Sequence, residues 1–174
     1  MLNQMRKDYE RLLHSKVFEK CGFLCGLFVM ANPEDIKNAE WQFDFYDEKK
    51  ERMTSYLVND EIRLVEKNAE VFKNGSLEIE RLDLDEVMVG VEEALKRAEV
   101  VLKEKGLSVS KVVITLQKSK EIFWNVSFLT TSFNLLNVRL SGRDGSLLEE
   151  SVVSLMDFRP GVGSIESLRK KEVI

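Results

Sequence analysis

The chain has 174 residues, 44% apolar and 32% charged, a globular composition long enough for one ordinary domain or two very small ones. Its net charge is −4 with Lys and Arg interleaved among Asp and Glu, so it lacks the basic face that nucleic-acid binding requires; the basic run Arg169-Lys170-Lys171 reads as a solvated terminus.

The first expected element is a helix from about Leu2 to Lys20, with Leu2, Met5, Tyr9, Leu12, Leu13 and Val17 as its apolar stripe. Gly22 follows it as a stop signal. The N-terminal residues are charged and show no apolar leader behind a basic start, so a cytoplasmic protein is expected. Four strands come next: Phe23 to Ala31, Glu40 to Asp47, Arg52 to Val58 and Glu61 to Glu66. Phe23 to Ala31 is the longest apolar run and is too short to cross a bilayer as a helix, so no membrane association is expected. Asn59-Asp60 marks a hairpin, and Asn74-Gly75 suggests an extra hairpin in the connection that follows.

A second helix is expected over Val91 to Lys105, with Val91, Leu95, Ala98 and Leu102 on one stripe and Gly106 ending it. Its start has two candidates: Gly90 as N-cap, or Asp83 with Glu86 three residues on. Strands Val109 to Gln117, Ile122 to Leu129, Asn134 to Ser141 and Ser146 to Leu155 follow, with Asp144-Gly145 turning the last hairpin. The residues from Arg159 onward form a tail.

Trp41-Gln-Phe-Asp-Phe45 and Trp124-Asn-Val-Ser-Phe128 align at an offset of 83, which also matches Met53 with Leu136 and Leu57 with Leu140. The expectation is an α+β fold in two copies, each a helix followed by a four-stranded antiparallel meander packed on that helix. The copies would occupy residues 1–73 and 87–158, with a connection at 74–86 and a tail at 159–174.

The second copy carries Glu92-Glu93-Ala94-Leu95-Lys96-Arg97-Ala98, then Trp124-Asn-Val-Ser-Phe128, Leu136-Asn-Val-Arg-Leu140 and Asp144-Gly-Ser-Leu-Leu148. Together these resemble a PepSY domain over roughly residues 87 to 156. The resemblance implies a cystatin-like fold, a helix cradled by a sheet, and a non-enzymatic module that binds or inhibits a partner. The first copy lacks the Glu-Ala helix and the Asp-Gly turn.

No catalytic constellation stands out. His14 is the sole histidine and has no nucleophile at helical spacing. With 30 Asp and Glu residues, sequence proximity selects no acid–base pair; Asp44 and Asp47 read as strand and turn residues. Gly142-Arg-Asp-Gly145 is too short for a phosphate loop. Cys21 and Cys25 would lie about 13 Å apart on a strand, too far for a disulfide, and with His14 they make a poor metal set. No cofactor and no metal are expected.

The functional expectation is therefore a non-catalytic binding or interaction module for a protein partner or small ligand. The alternatives are a small enzyme with a pocket between helix and curved sheet, or a structural subunit of a complex. In the second half the apolar doublets Phe123-Trp124, Leu135-Leu136, Leu147-Leu148 and Val152-Val153 must send one side chain to each sheet face. Phe123, Leu129 and Leu135 thereby mark an outer apolar surface, expected to be covered by the first copy, by Ile165–Leu168 of the tail, or by a second chain in a homodimer.

Overall fold

The computed structural model describes residues 2–20, 22–71 and 78–157. The tail, Cys21 and Asn74-Gly75 lie outside these residues. Helix α1 (Leu2–Leu13) precedes β1 (Phe23–Ala31), β2 (Trp41–Asp47), β3 (Arg52–Val58) and β4 (Ile62–Glu70). Helix α2 (Val91–Glu104) precedes β5 (Val109–Ser119), β6 (Glu121–Thr130), β7 (Asn134–Ser141) and β8 (Leu147–Ser154).

The eight strands form one antiparallel sheet in the order β4-β3-β2-β1-β5-β6-β7-β8. This corrects the expectation of two meanders, each packed on its own helix. The join is the β1–β5 ladder, which runs from Gly26 opposite Gln117 to Ala31 opposite Val112. One main core then serves both halves, drawing Met5 and Leu12 from α1, Ala94 and Ala98 from α2, and strand residues from each half. The cystatin-like and PepSY-like architecture is overturned with it, and so is the internal repeat. Any two half-buried strands of one sheet share a period of two, and that alone matches Phe43 with Val126 and Phe45 with Phe128 once the tryptophans are superposed. Trp41 and Trp124 are both buried, and they touch: their rings meet edge to face at 6.2 Å in that main core.

The first helix stops earlier than its periodicity suggests. Ser15 Oγ accepts the Phe18 N–H, which opens a turn, and Phe18 swings onto Phe45 and Tyr56 with ring centroids at 4.9 and 5.6 Å. That packing outweighs another helical turn, and Val17 is left exposed. On α1 itself, Tyr9 stacks on Phe43 and Phe45.

Both candidate starts before α2 are used. Asp83 accepts the Asp85 N–H and caps a single 3-10 turn at Leu84–Glu86, while Gly90 is the N-cap of α2. Between them the chain is held extended beneath the helices. Met88 and Val89 N–H both donate to Gly142 O, Trp124 Nε1 donates to Val89 O, and Arg6 donates to Leu84 O and Val87 O. A Cβ on Gly142 would stand 2.7 Å from Ile122 Cγ2 and 3.1 Å from Ile122 O, so any side chain there forces Ile122 to shift. The β7–β8 turn closes as Gly145 N–H donates to Ser141 O, with Gly145 at φ +75°. There Asp144 accepts from the Ser146 N–H and Oγ, and these hydrogen bonds hold its carboxyl below the usual range.

Candidate binding face

Both helices contribute to the one main core, and period-two alternation sends the other half of the strand side chains to the opposite face of the sheet. Cross-strand registers arrange that face, which carries no helix among the described residues, in rows. The central row is Gln42, Phe28, Thr115, Asn125, Arg139 and Glu149, taken from β2 to β8. The next row holds Met30, Val113, Ser127, Asn137 and Ser151, and beyond it lie Leu129, Leu135 and Val153.

Two hydrogen-bonded polar groups lie on this face, one on each side of Phe28 and Met30 of β1. Asp44 Oδ1 accepts from Gln42 Nε2 at 2.7 Å and from Ser55 Oγ at 2.5 Å. Asn125 Nδ2 donates to Ser127 Oγ at 3.2 Å, and Ser127 Oγ donates to Asn137 Oδ1 at 2.6 Å. Two atoms have no partner there: Thr115 Oγ1 and Asn125 Oδ1, on cross-strand neighbours only 5% and 4% exposed.

Of the residues read from the apolar doublets, Leu129 and Leu135 are direct cross-strand neighbours and half-buried. Phe123 is not with them. It sits six residues down β6, about 20 Å away at strand rise, buried with the Arg139 guanidinium 5.2 Å from its ring centroid. Arg139 also pairs with Glu149 at 3.1 Å. The first half does not cover this surface, because it joins the sheet edge to edge. The polar row was missed in the sequence, although a signal exists. A hairpin centred on Lys120 places Thr115 opposite Asn125.

The groups weighed for chemistry are not assembled. His14 is exposed, with Nδ1 2.8 Å from Glu10 O. Cys25 lies in a small cluster with Phe23 and Tyr46, and its thiol donates to Asp44 O at 3.3 Å. Burial first, and the Asp44 carboxylate second, push that thiol well above its ordinary pKa, so it is neither nucleophile nor thiolate ligand at neutral pH. Among the described residues no group of three His, Cys, Asp or Glu could hold a metal ion.

No family model matches this sequence, and no curated protein does. One solved structure is similar, a "putative lipoprotein" from Clostridium difficile 630. It is 15% identical, with a TM-score of 0.47 over 87% of this chain and 90% of that one. A TM-score below 0.5 is too low to establish a shared fold. No helix among the described residues is long and apolar enough to cross a membrane.

Proposed function

We propose that this chain is a non-catalytic, cytoplasmic binding module that receives a polar ligand or protein segment on the helix-free face of its sheet. One observation carries the reading: the buried, unpartnered Thr115 Oγ1 and Asn125 Oδ1 side by side at the centre of that face. A buried polar atom without a partner costs about 1–3 kcal/mol, so a ligand that parts the side chains over these two atoms and supplies hydrogen bonds recovers that penalty on binding. Half-buried Leu129, Leu135 and Val153, two rows away and about 13 Å along the strands, offer apolar contact.

The rival reading, an enzyme with a pocket between helix and sheet, needs a carboxylate in an apolar setting. The helix side is instead filled by Trp124, Phe43, Phe45, Phe128 and their neighbours, and no described Asp or Glu is among the buried residues. This favours the module.

The test is a thermal-shift screen of sugars, amino acids and short polar peptides against the parent and Asn125→Ala. A ligand present at 100 times its Kd stabilises by about 2.7 kcal/mol. The expected result is a compound that raises the parent's Tm and shifts Asn125→Ala much less. Turnover that survives rigorous purification and vanishes with Asp44→Asn would overturn the proposal.

A further inference from the structure

An open sheet has two edges, and here they differ. β4 is guarded. It carries Arg63, Glu66, Lys67 and Glu70, its ladder with β3 shifts register twice, and Asn68 turns through φ +54°. Charges and bulges of this kind keep a foreign strand from pairing. β8 is less guarded: it carries two charges, Glu149 and Glu150, and no bulge beyond them. From Glu149 to Ser154 its register with β7 is unbroken, and it contains no Lys, Arg or Pro. Its two carboxylates are exposed but each has a partner within the chain: Glu149 pairs with Arg139 on one face, and Glu150 with Lys105 of α2 on the other at 3.0 Å. No described strand lies beyond it. Val152 is 47% exposed, and Leu148 and Leu147 flank it exposed.

We infer that the β8 edge is an interface for a second copy of this chain, paired antiparallel about a two-fold axis at Val152. A two-fold contact must be self-complementary, and this register is. Val152 meets the same residue of the partner, Ser151 faces Val153, and Glu150 faces Ser154, so no like charges stand opposite each other. The same register brings the exposed Leu148 of each copy to the end of the strand where the exposed Met156 of the other emerges. A register centred on Glu150 would set two carboxylates against each other and is disfavoured. The inference does not depend on the ligand reading of the helix-free face.

Sedimentation equilibrium on the full chain tests it. The parent is expected to dimerise. Val152→Lys and Val152→Glu, each folded by circular dichroism, are expected to raise the dissociation constant at least about tenfold through like-charge opposition. Mixing these two variants is expected to restore the dimer, which happens only if residue 152 faces its own mate. Val65→Lys on β4 is expected to leave assembly unchanged. A monomeric parent, a dimer insensitive to Val152→Lys, or a mixture that stays monomeric would each overturn the assignment.

Discussion

The two faces of the sheet are built from the same eight strands and reach opposite solutions. On the helix side every strand from β1 to β7 except the edge β4 contributes at least one fully buried large side chain or its near equivalent, such as Leu27, Phe43, Tyr56, Ile114, Trp124 and Leu136. On the other side the polar residues Asp44, Thr115, Asn125, Ser127 and Asn137 share the centre with Phe28, Met30 and Val113. Apolar burial is non-directional and tolerates many arrangements, whereas buried polar groups need particular partners. The helix side therefore holds the fold together, and the open side is where specificity can reside.

The largest expected effect lies on the helix side. Trp124→Ala removes a fully buried ring and its hydrogen bond to Val89 O, so a loss of about 3–5 kcal/mol is expected in chemical denaturation. The adjacent doublet Leu135-Leu136 compares the faces within one strand. Leu136→Ala, at a buried position, is expected to cost about 2–5 kcal/mol, and Leu135→Ala, half-buried on the open face, about 1 kcal/mol. Equal losses would mean that the two faces are covered alike.

Thr115→Val sharpens the comparison further. It keeps the shape of the side chain and removes the unpartnered oxygen. Where an oxygen is truly unsatisfied, the replacement is neutral or stabilises by up to about 1 kcal/mol. A destabilisation larger than that, read from the denaturation midpoint, would show that Oγ1 already has a partner in solution.

Much of the local structure is legible in the sequence. Phe23–Ala31, Arg52–Val58 and Asn134–Ser141 are the observed strands to the residue, the first marked by an unbroken apolar run and the others by alternation between turn residues. Asp83 and Gly90 read as competing helix starts because both are good caps, and each in fact caps its own turn. What the sequence does not declare is the β1–β5 ladder. Pairing between Gly26 and Gln117 joins strands far apart in the chain, and no turn between them sets a register. A weaker sign is available: β1 is the longest apolar run in the chain, and such runs suit a central strand. Of the site, the apolar flank of Leu129 and Leu135 is readable from doublets. The polar residues are spread over strands β2, β5, β6 and β7, so they appear together only once the strand order is known.

Cys25 gives the finest test of how well the open face is sealed at its other end. Its cluster with Phe23 and Tyr46, backed by Met53, Val71 and Ile79, is small beside the main core, yet it leaves the cysteine only 8% exposed. Burial and the nearby Asp44 carboxylate both disfavour the thiolate, so the folded pKa is raised. A raised value means that this contribution to stability is fully present below the unfolded thiol pKa of about 8.5, and is lost as pH rises from there through the folded value. One proton limits the loss to about 1.4 kcal/mol per pH unit. Cys25→Val keeps the apolar volume and cannot ionise. Its denaturation midpoint, followed from about pH 8 to pH 10, is expected to fall more slowly than the parent's. Tyr9 is raised by burial as well and titrates only above its ordinary value of 10.0, so the lower part of that window reports on Cys25. Other alkaline groups are common to both chains and cancel in the difference. Parallel curves would mean that water reaches the thiol and that the open face is unsealed at this end.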